Sequence, residues 1–438
     1  MKFLSKIFSP VILIISIFLL LYTFYKSEFH WDGQIRGYYY KYYLISSILI
    51  IISIVTFILS KKVKEYIIIS SFSLIFSLYS LEIYFSFNPK LSKEQLIKEK
   101  IYKEQTGIKW DGRTKYEIYN DLKKLDDRIT ITLYPNNHVK ENYSIFPLSG
   151  ISDAKTINCN ENGFYSTYLS DRYGFNNPNH VWDSKEIEYL LVGDSYVHGF
   201  CVNRPNDIAS VLRNLSNKSV LNLGYGGIGP LIEYAILREY LNSNIKKVLW
   251  FYAEQNDLSN LEKETENKVL TKYYNDQTFS QSLKSKQSDI NKLIRSVIDK
   301  ENKNDKFSKI IKLYFLRTMI NLTNEADEEK QEPEPPLEFK KILKMTKELI
   351  DKNNAELYFI YIPEYSRYTN KYDNKNYILV NNIVKNLDIP FIDIHKDVFA
   401  KEPNPLKYFP FEFMGHYNVD GYNVIANHIF KTLSNSNK

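Results

Sequence analysis

The stretch Ile187-Glu188-Tyr189-Leu190-Leu191-Val192-Gly193-Asp194-Ser195-Tyr196-Val197-His198-Gly199 decides how the rest of the chain is read. Its first six residues form a short apolar run of the kind that makes a buried strand, and Gly193 ends it. A tight turn follows, and Ser195 opens a helix. A serine in that place gains from the free N–H groups of a helix N-terminus, which stabilise negative charge developing on a bound molecule. Gly-Asp-Ser alone is a common tripeptide. Directly after a buried strand it marks a candidate nucleophile.

Four further apolar runs lie downstream, at Ser219–Leu223, Lys247–Tyr252, Ala355–Ile362 and Ile389–Ile394. Helical stretches separate them, such as Pro230–Leu241, where Pro opens the helix at a position that needs no N–H donor. Strands alternating with helices predict a parallel sheet covered on both faces, with any site at the carboxyl ends of its strands. Three more motifs fall at those ends. Asn222-Leu223-Gly224-Tyr225-Gly226-Gly227-Ile228-Gly229-Pro230 is glycine-rich and exposes backbone N–H groups, but it lacks the Lys-Ser/Thr pair of a phosphate loop. By itself it reads as a tight turn. Glu254-Gln255-Asn256-Asp257 offers a side-chain amide that can donate to an oxyanion, although a turn-forming Asn is the plainer reading. Gly415-His416-Tyr417-Asn418 precedes a final amphipathic helix, with Tyr422, Ile425, Ala426, Ile429 and Leu433 expected inward.

Upstream the character changes. Mean hydropathy over the 438 residues is -0.35, yet three apolar runs crowd the first ninety: roughly 7–25, 42–60 and 66–87. Each approaches the ~20 residues a helix needs to cross a bilayer. Lys2 and Lys6 precede the first run, and Lys61, Lys62 and Lys64 crowd the second loop, whereas the first loop mixes Lys26, Arg36 and Lys41 with Glu28 and Asp32. The positive-inside bias predicts a multi-pass protein of the cell membrane with everything beyond about residue 90 on the extracytoplasmic side. Glu82, in the third run, lies near an end from which it can reach the interface. The expected organisation is therefore a three-helix membrane region at 1–90, an extracytoplasmic extension at 91–180 beginning near Leu91, and an α/β domain at 181–438. A polar, helix-favouring insertion at about 258–337 interrupts the last. It reads equally as a lid or partner surface and as helical decoration.

Composition excludes several classes. Lys+Arg 57 against Asp+Glu 51 gives +6, spread along the chain, so no basic stripe for nucleic acid is present. No HExxH or clustered ligand pattern points to a metal, and no pattern points to a cofactor.

The motifs, taken in order, resemble the four blocks of the SGNH/GDSL hydrolases over about residues 187–435. Ser170-Asp171-Arg172-Tyr173-Gly174-Phe175-Asn176-Asn177-Pro178 and Val248-Leu249-Trp250-Phe251 resemble a bacterial membrane-anchored subgroup of that family. The resemblance implies a three-layer α/β/α, flavodoxin-like sheet. It implies Ser195 as nucleophile, His416 as general base, and an oxyanion hole from the N–H groups of Ser195 and Gly227 with the side chain of Asn256. Gly226 is the next choice for the glycine. The chemistry implied is that of a serine esterase or O-acyltransferase acting on acyl, above all acetyl, esters of cell-envelope glycans or lipids. A transferase of only three spans would need a membrane partner to supply its acyl donor. A non-catalytic scaffold or glycan-binding module of the same fold is the alternative.

Two positions depart from the family pattern. Glu254 stands where a glycine is usual. Phe413 stands where the family places the acid that orients the histidine. A Ser-His dyad or a backbone carbonyl is the first expectation in its place, then Glu412, with Asp393 also a candidate. His198 reads as a packed histidine, and His395 as an outside candidate for base. In an oxidising compartment, Cys159 and Cys201 are expected to pair rather than remain buried thiols, with a chain-entropy contribution on the order of 4 kcal/mol.

Overall fold

The computed structural model describes residues 4–31, 33, 36–87, 93–141, 143–319, 332–369 and 372–435. Lys2, Asp32, Leu91 and residues 320–331 of the insertion lie outside them. The chain divides into two compact units, Met1–Ser92 with Glu301–Gln331, and Lys93–Lys300 with Glu332–Lys438.

In the first unit, α1 (Leu4–Phe24), α2 (Arg36–Ile58) and α3 (Lys61–Phe87) are each long and apolar enough to cross a membrane. α1 and α2 pack through small polar residues. Ser16 and Ser53 share a hydrogen bond at 3.0 Å, and the Ser9 hydroxyl donates to the Thr56 carbonyl at 3.2 Å. Small residues let two such helices approach closely where no hydrophobic force drives them together. Leu, Ile and Phe side chains cover the exposed faces of all three, as lipid contact requires. Glu82 is fully buried inside this unit rather than turned outward.

The second unit begins with α4 (Lys93–Thr106) and α5 (Lys115–Lys123). A capping box starts α5: Thr114 accepts from the Glu117 N–H while Glu117 accepts from the Thr114 N–H. A small sheet follows, β1 (Ile129–Ile131), β2 (Lys155–Ile157) and β3 (Thr167–Leu169), with β1 parallel and β3 antiparallel to β2.

The main sheet comprises five parallel strands. β4 (Ile187–Val192) leads into α6 (Ser195–His198) and α7 (Ile208–Ser216). β5 (Val220–Asn222) leads into α8 (Pro230–Tyr240), and β6 (Ile245–Ala253) into α9 (Asp257–Glu264), α10 (Leu270–Asn275), α11 (Gln287–Ile311) and α12 (Tyr314–Met319). α13 (Leu337–Lys352), β7 (Glu356–Ile362), α14 (Lys375–Lys385), β8 (Phe391–Asp393), α15 (Ile394–Asp397) and α16 (Val419–Asn435) complete the chain. The order across the sheet is β5-β4-β6-β7-β8, which is the 2-1-3-4-5 order of a flavodoxin-like doubly wound fold.

Period-two alternation explains why both faces are covered. Leu190, Val192, Val248, Trp250 and Tyr252 point to one side, into a cluster with Ile232 and Ile236 of α8 and Phe339 and Ile342 of α13. Leu191, Leu249, Phe251 and Ile360 point to the other, against Leu212 of α7 and Tyr422, Ile425 and Ile429 of α16. Each such side chain, fully buried, contributes roughly 1.5–3 kcal/mol. With so many of them at its centre, the end of β4 is a rigid mount.

Candidate active site

The turn after β4 is built from its own residues. Asp194 caps α6, accepting from the Tyr196 N–H at 2.9 Å and lying 3.1 Å from the Ser195 hydroxyl. Burial pushes the Asp194 carboxyl up. Asn222, at the end of β5, donates to the Val197 carbonyl at 2.7 Å and accepts from Gly224 N–H at 2.8 Å, which ties the glycine loop to the serine's helix. The Ser170–Pro178 segment braces the same corner. Asn177 exchanges hydrogen bonds with the Asn222 backbone at 2.7 and 2.8 Å, and Asn176 donates to the His198 carbonyl at 2.8 Å.

Ser195 and His416 meet. His416 Nε2 lies 2.8 Å from Ser195 Oγ, and its ring sits between Tyr196 at 4.9 Å and Phe200 at 5.0 Å. Behind the ring stands Glu161. One oxygen of its carboxylate is 2.9 Å from His416 Nδ1 and the other accepts the His416 backbone N–H at 2.6 Å. A carboxylate at Nδ1 holds the proton there and leaves Nε2 free to accept one from the serine. Burial opposes the charge of both partners, but each outweighs it for the other, so the His416 pKa is raised and that of Glu161 lowered.

The group in contact with His416 Nδ1 is the Glu161 carboxylate, where a dyad, a carbonyl, Glu412 or Asp393 is expected from the sequence. Glu412 has positive φ and accepts from Asn404 at 3.0 Å. Asp393 caps α15, accepting from the Lys396 N–H at 2.9 Å, and also takes the Tyr377 hydroxyl. Neither touches His416. The acid comes instead from the loop between β2 and β3, far from the family's usual position. Two signals in the sequence bear on it. Cys159, two residues before Glu161, is bonded to Cys201 on the serine's side of the molecule, and Asn162 donates to the Cys201 carbonyl at 2.9 Å. Gly415 is the second: a Cβ there would fall 2.7 Å from Glu161 Oε2, so only glycine lets the carboxylate approach.

The glycine loop separates its two candidates. The Gly226 N–H donates to His198 Nδ1 at 3.2 Å, which engages it elsewhere. Gly227 has φ +69°, and a Cβ on it would meet Tyr134 at 2.8 Å, so no other residue fits. Asn256 stands just past the end of β6 with a buried, unpartnered Oδ1. Its neighbour Gln255 accepts from the Tyr196 hydroxyl at 3.1 Å. Glu254 points away, buried against Arg367 at 2.8–2.9 Å and the Glu364 N–H at 3.1 Å, so it pins the segment after β7.

The other histidines stand apart from this chemistry. His198 is fully buried, stacked on Tyr225 at 4.8 Å, with its pKa pushed down to about 3 by burial. His395 pairs with the Tyr368 hydroxyl at 2.9 Å beside β8. Glu161, Cys201 and His416 place potential metal-binding atoms within 4.8 Å of one another. The sulfur is in the disulfide and both imidazole nitrogens are engaged, so the trio presents no free ligand set.

No family model matches the chain, and no curated protein does. Among solved structures, one described as a lipolytic protein of the G-D-S-L family from Desulfitobacterium hafniense DCB-2 is similar at a TM-score of 0.32 and 12% identity, covering 56% of this chain and 99% of that one. The flavodoxin-like sheet, with its serine turn after the first strand and its histidine ahead of the last helix, has the arrangement of the SGNH/GDSL hydrolase fold.

Proposed function

We propose that the protein is a membrane-anchored serine ester hydrolase or O-acyltransferase. The single observation that carries this reading is the line Ser195–His416–Glu161, with both contacts at hydrogen-bond distance. Ser195 Oγ attacks the acyl carbonyl as its proton passes to His416 Nε2, and Glu161 stabilises the imidazolium. The carbonyl oxygen, now negative, takes hydrogen bonds from the N–H groups of Ser195 and Gly227 and the side-chain amide of Asn256. Collapse breaks the ester bond, and the alcohol leaves with the proton from His416. Water or a sugar hydroxyl then attacks the acyl-enzyme, giving its proton to His416, and Ser195 is restored.

The substrate class we favour is an acyl ester, above all acetyl, of a glycan or lipid in the cell envelope. Three apolar helices keep the enzyme beside such material, with the Ser195 unit on the extracytoplasmic side. A transferase would draw its acyl groups from a membrane partner. The rival reading, a non-catalytic scaffold, drew its support from a missing acid, and Glu161 supplies one.

A fluorophosphonate tests the proposal. Wild type is expected to label and Ser195→Ala not to, with release of acetate from envelope polysaccharide lost in parallel. Folded wild-type protein that neither labels nor turns over an aryl acetate would overturn it.

A further inference from the structure

A carboxylate within an apolar helix is costly, and it persists where something answers it. Glu82 of α3 is fully buried. One of its oxygens accepts the Phe315 N–H at 3.0 Å and the other the Leu316 N–H at 2.9 Å. Both donors lie in the α12 segment, from the far end of the insertion. Two further contacts bind the same segment. The Tyr79 hydroxyl of α3 donates to the Ile311 carbonyl at 3.1 Å. Arg317 donates to the hydroxyls of Tyr42 and Tyr38 on α2, at 3.0 and 3.1 Å, with its guanidinium 5.3 Å from the centre of the Tyr42 ring.

Chain order fixes what these contacts mean. If α1, α2 and α3 cross a bilayer in turn, the start of α2 and the end of α3 lie at one face. Tyr38 and Tyr42 belong to the start of α2, and Tyr79 and Glu82 to the last turns of α3. That face is dense in tyrosine, as membrane–water boundaries are. The segment's outward side suits the same boundary: Ile311, Tyr314 and Met319 are exposed, and Lys309 and Lys312 stand either side of Ile311. Apolar side chains flanked by lysines match the acyl and phosphate layers of a lipid surface.

We propose that residues 309–319 form a fourth membrane element, an interfacial segment seated on α2 and α3 through Glu82 and Arg317 and inserted at the headgroup boundary. The insertion then has two characters. Residues 258–300 and 332–337 belong to the unit that carries Ser195, whereas 301–319 belong to the membrane unit. Glu82 is the receptor that makes the second part stay.

The test uses the full chain in vesicles of phosphatidylcholine and phosphatidylglycerol. Both native cysteines are in the disulfide, so Met319→Cys presents one thiol for an environment-sensitive dye. Nitroxide-labelled lipid is expected to quench that dye at least twofold more than one at Lys263→Cys, which is exposed on α9. Dye at Ile52→Cys, midway along α2, reports separately whether the helices cross the bilayer at all. Glu82→Ala and Arg317→Leu, each scored only in protein that forms the native disulfide, are expected to move the Met319 signal towards the Lys263 value. Met319 dye that iodide in water reaches as readily as Lys263 dye, with Ile52 quenched by lipid, would overturn the insertion. Lipid quenching unchanged in both variants would overturn the seat.

Discussion

Ser195 and Glu161 reach the same imidazole from two different kinds of scaffold. Ser195 stands at the end of a central strand, where backbone ladders to β5 and β6 and apolar cores on both faces fix its position. Glu161 stands in a loop held by individual contacts: the Cys159–Cys201 disulfide, Asn160 donating to the Asp111 carbonyl at 2.7 Å, and the Tyr102 ring beneath Gly163. Position in the first case is a property of the whole sheet. In the second it depends on a few bonds that can be cut singly, so the two halves of the site should fail independently.

The sharpest way to divide them is Glu161→Gln. It is expected to lower kcat on an aryl acetate by about 10³–10⁴-fold, while circular dichroism stays that of wild type. The pH profile adds a sign. The His416 pKa is raised above its ordinary value of 6.5, and only neutral imidazole accepts the serine proton, so the rate should rise as pH passes through that raised value. In Glu161→Gln burial is no longer outweighed by the carboxylate, and the rising limb should move to lower pH. A limb that stays in place would show that Glu161 does not govern His416.

The same pairing sets a stability window. The His416 share is complete below 6.5 and fades as pH rises through the raised value. The Glu161 share is complete above its ordinary 4.5 and fades as pH falls through the lowered one. Pairing therefore contributes most between 4.5 and 6.5, on the acid side of the best turnover. Unfolding midpoints of wild type and Glu161→Gln, compared across that range, should differ most there.

Cutting the tether rather than the acid should do less. Cys159→Ser with Cys201→Ser keeps every catalytic group but frees the loop. The expected loss is about 10²-fold in kcat, the scale of a misplacement near 1 Å, with about 4 kcal/mol of stability measurable by denaturant. Smallest of all is Glu412→Gln, within about twofold of wild type, because that side chain touches Asn404 and not His416. A large effect there would contradict the comparison.

How much of this was legible in the chain follows the same division. β4 and its turn are a local pattern, an apolar run broken by glycine, and so are His416 and the inward face of the last helix. The expected strand at Ser219–Leu223 and the observed Val220–Asn222 differ by a residue at each end, as frayed ends do. Glu161 had no such pattern. Nothing periodic surrounds Cys159-Asn160-Glu161-Asn162-Gly163, and a staple between two cysteines does not by itself mark the carboxylate beside it. Glu82 was illegible for a related reason. Its partners are backbone N–H groups of a segment that reads as polar decoration, and a backbone donor leaves no mark in sequence.

The Cys159–Cys201 disulfide also sets when the catalyst comes into being. A chain whose two thiols are still reduced keeps its sheet, its serine and its histidine, but the loop bearing Glu161 is untethered. On the proposed reading such a molecule is folded and expected to be about 10²-fold slower. Closing the Cys159–Cys201 bond would then bring the catalyst to full rate, so its maturation would follow a thiol-oxidising environment.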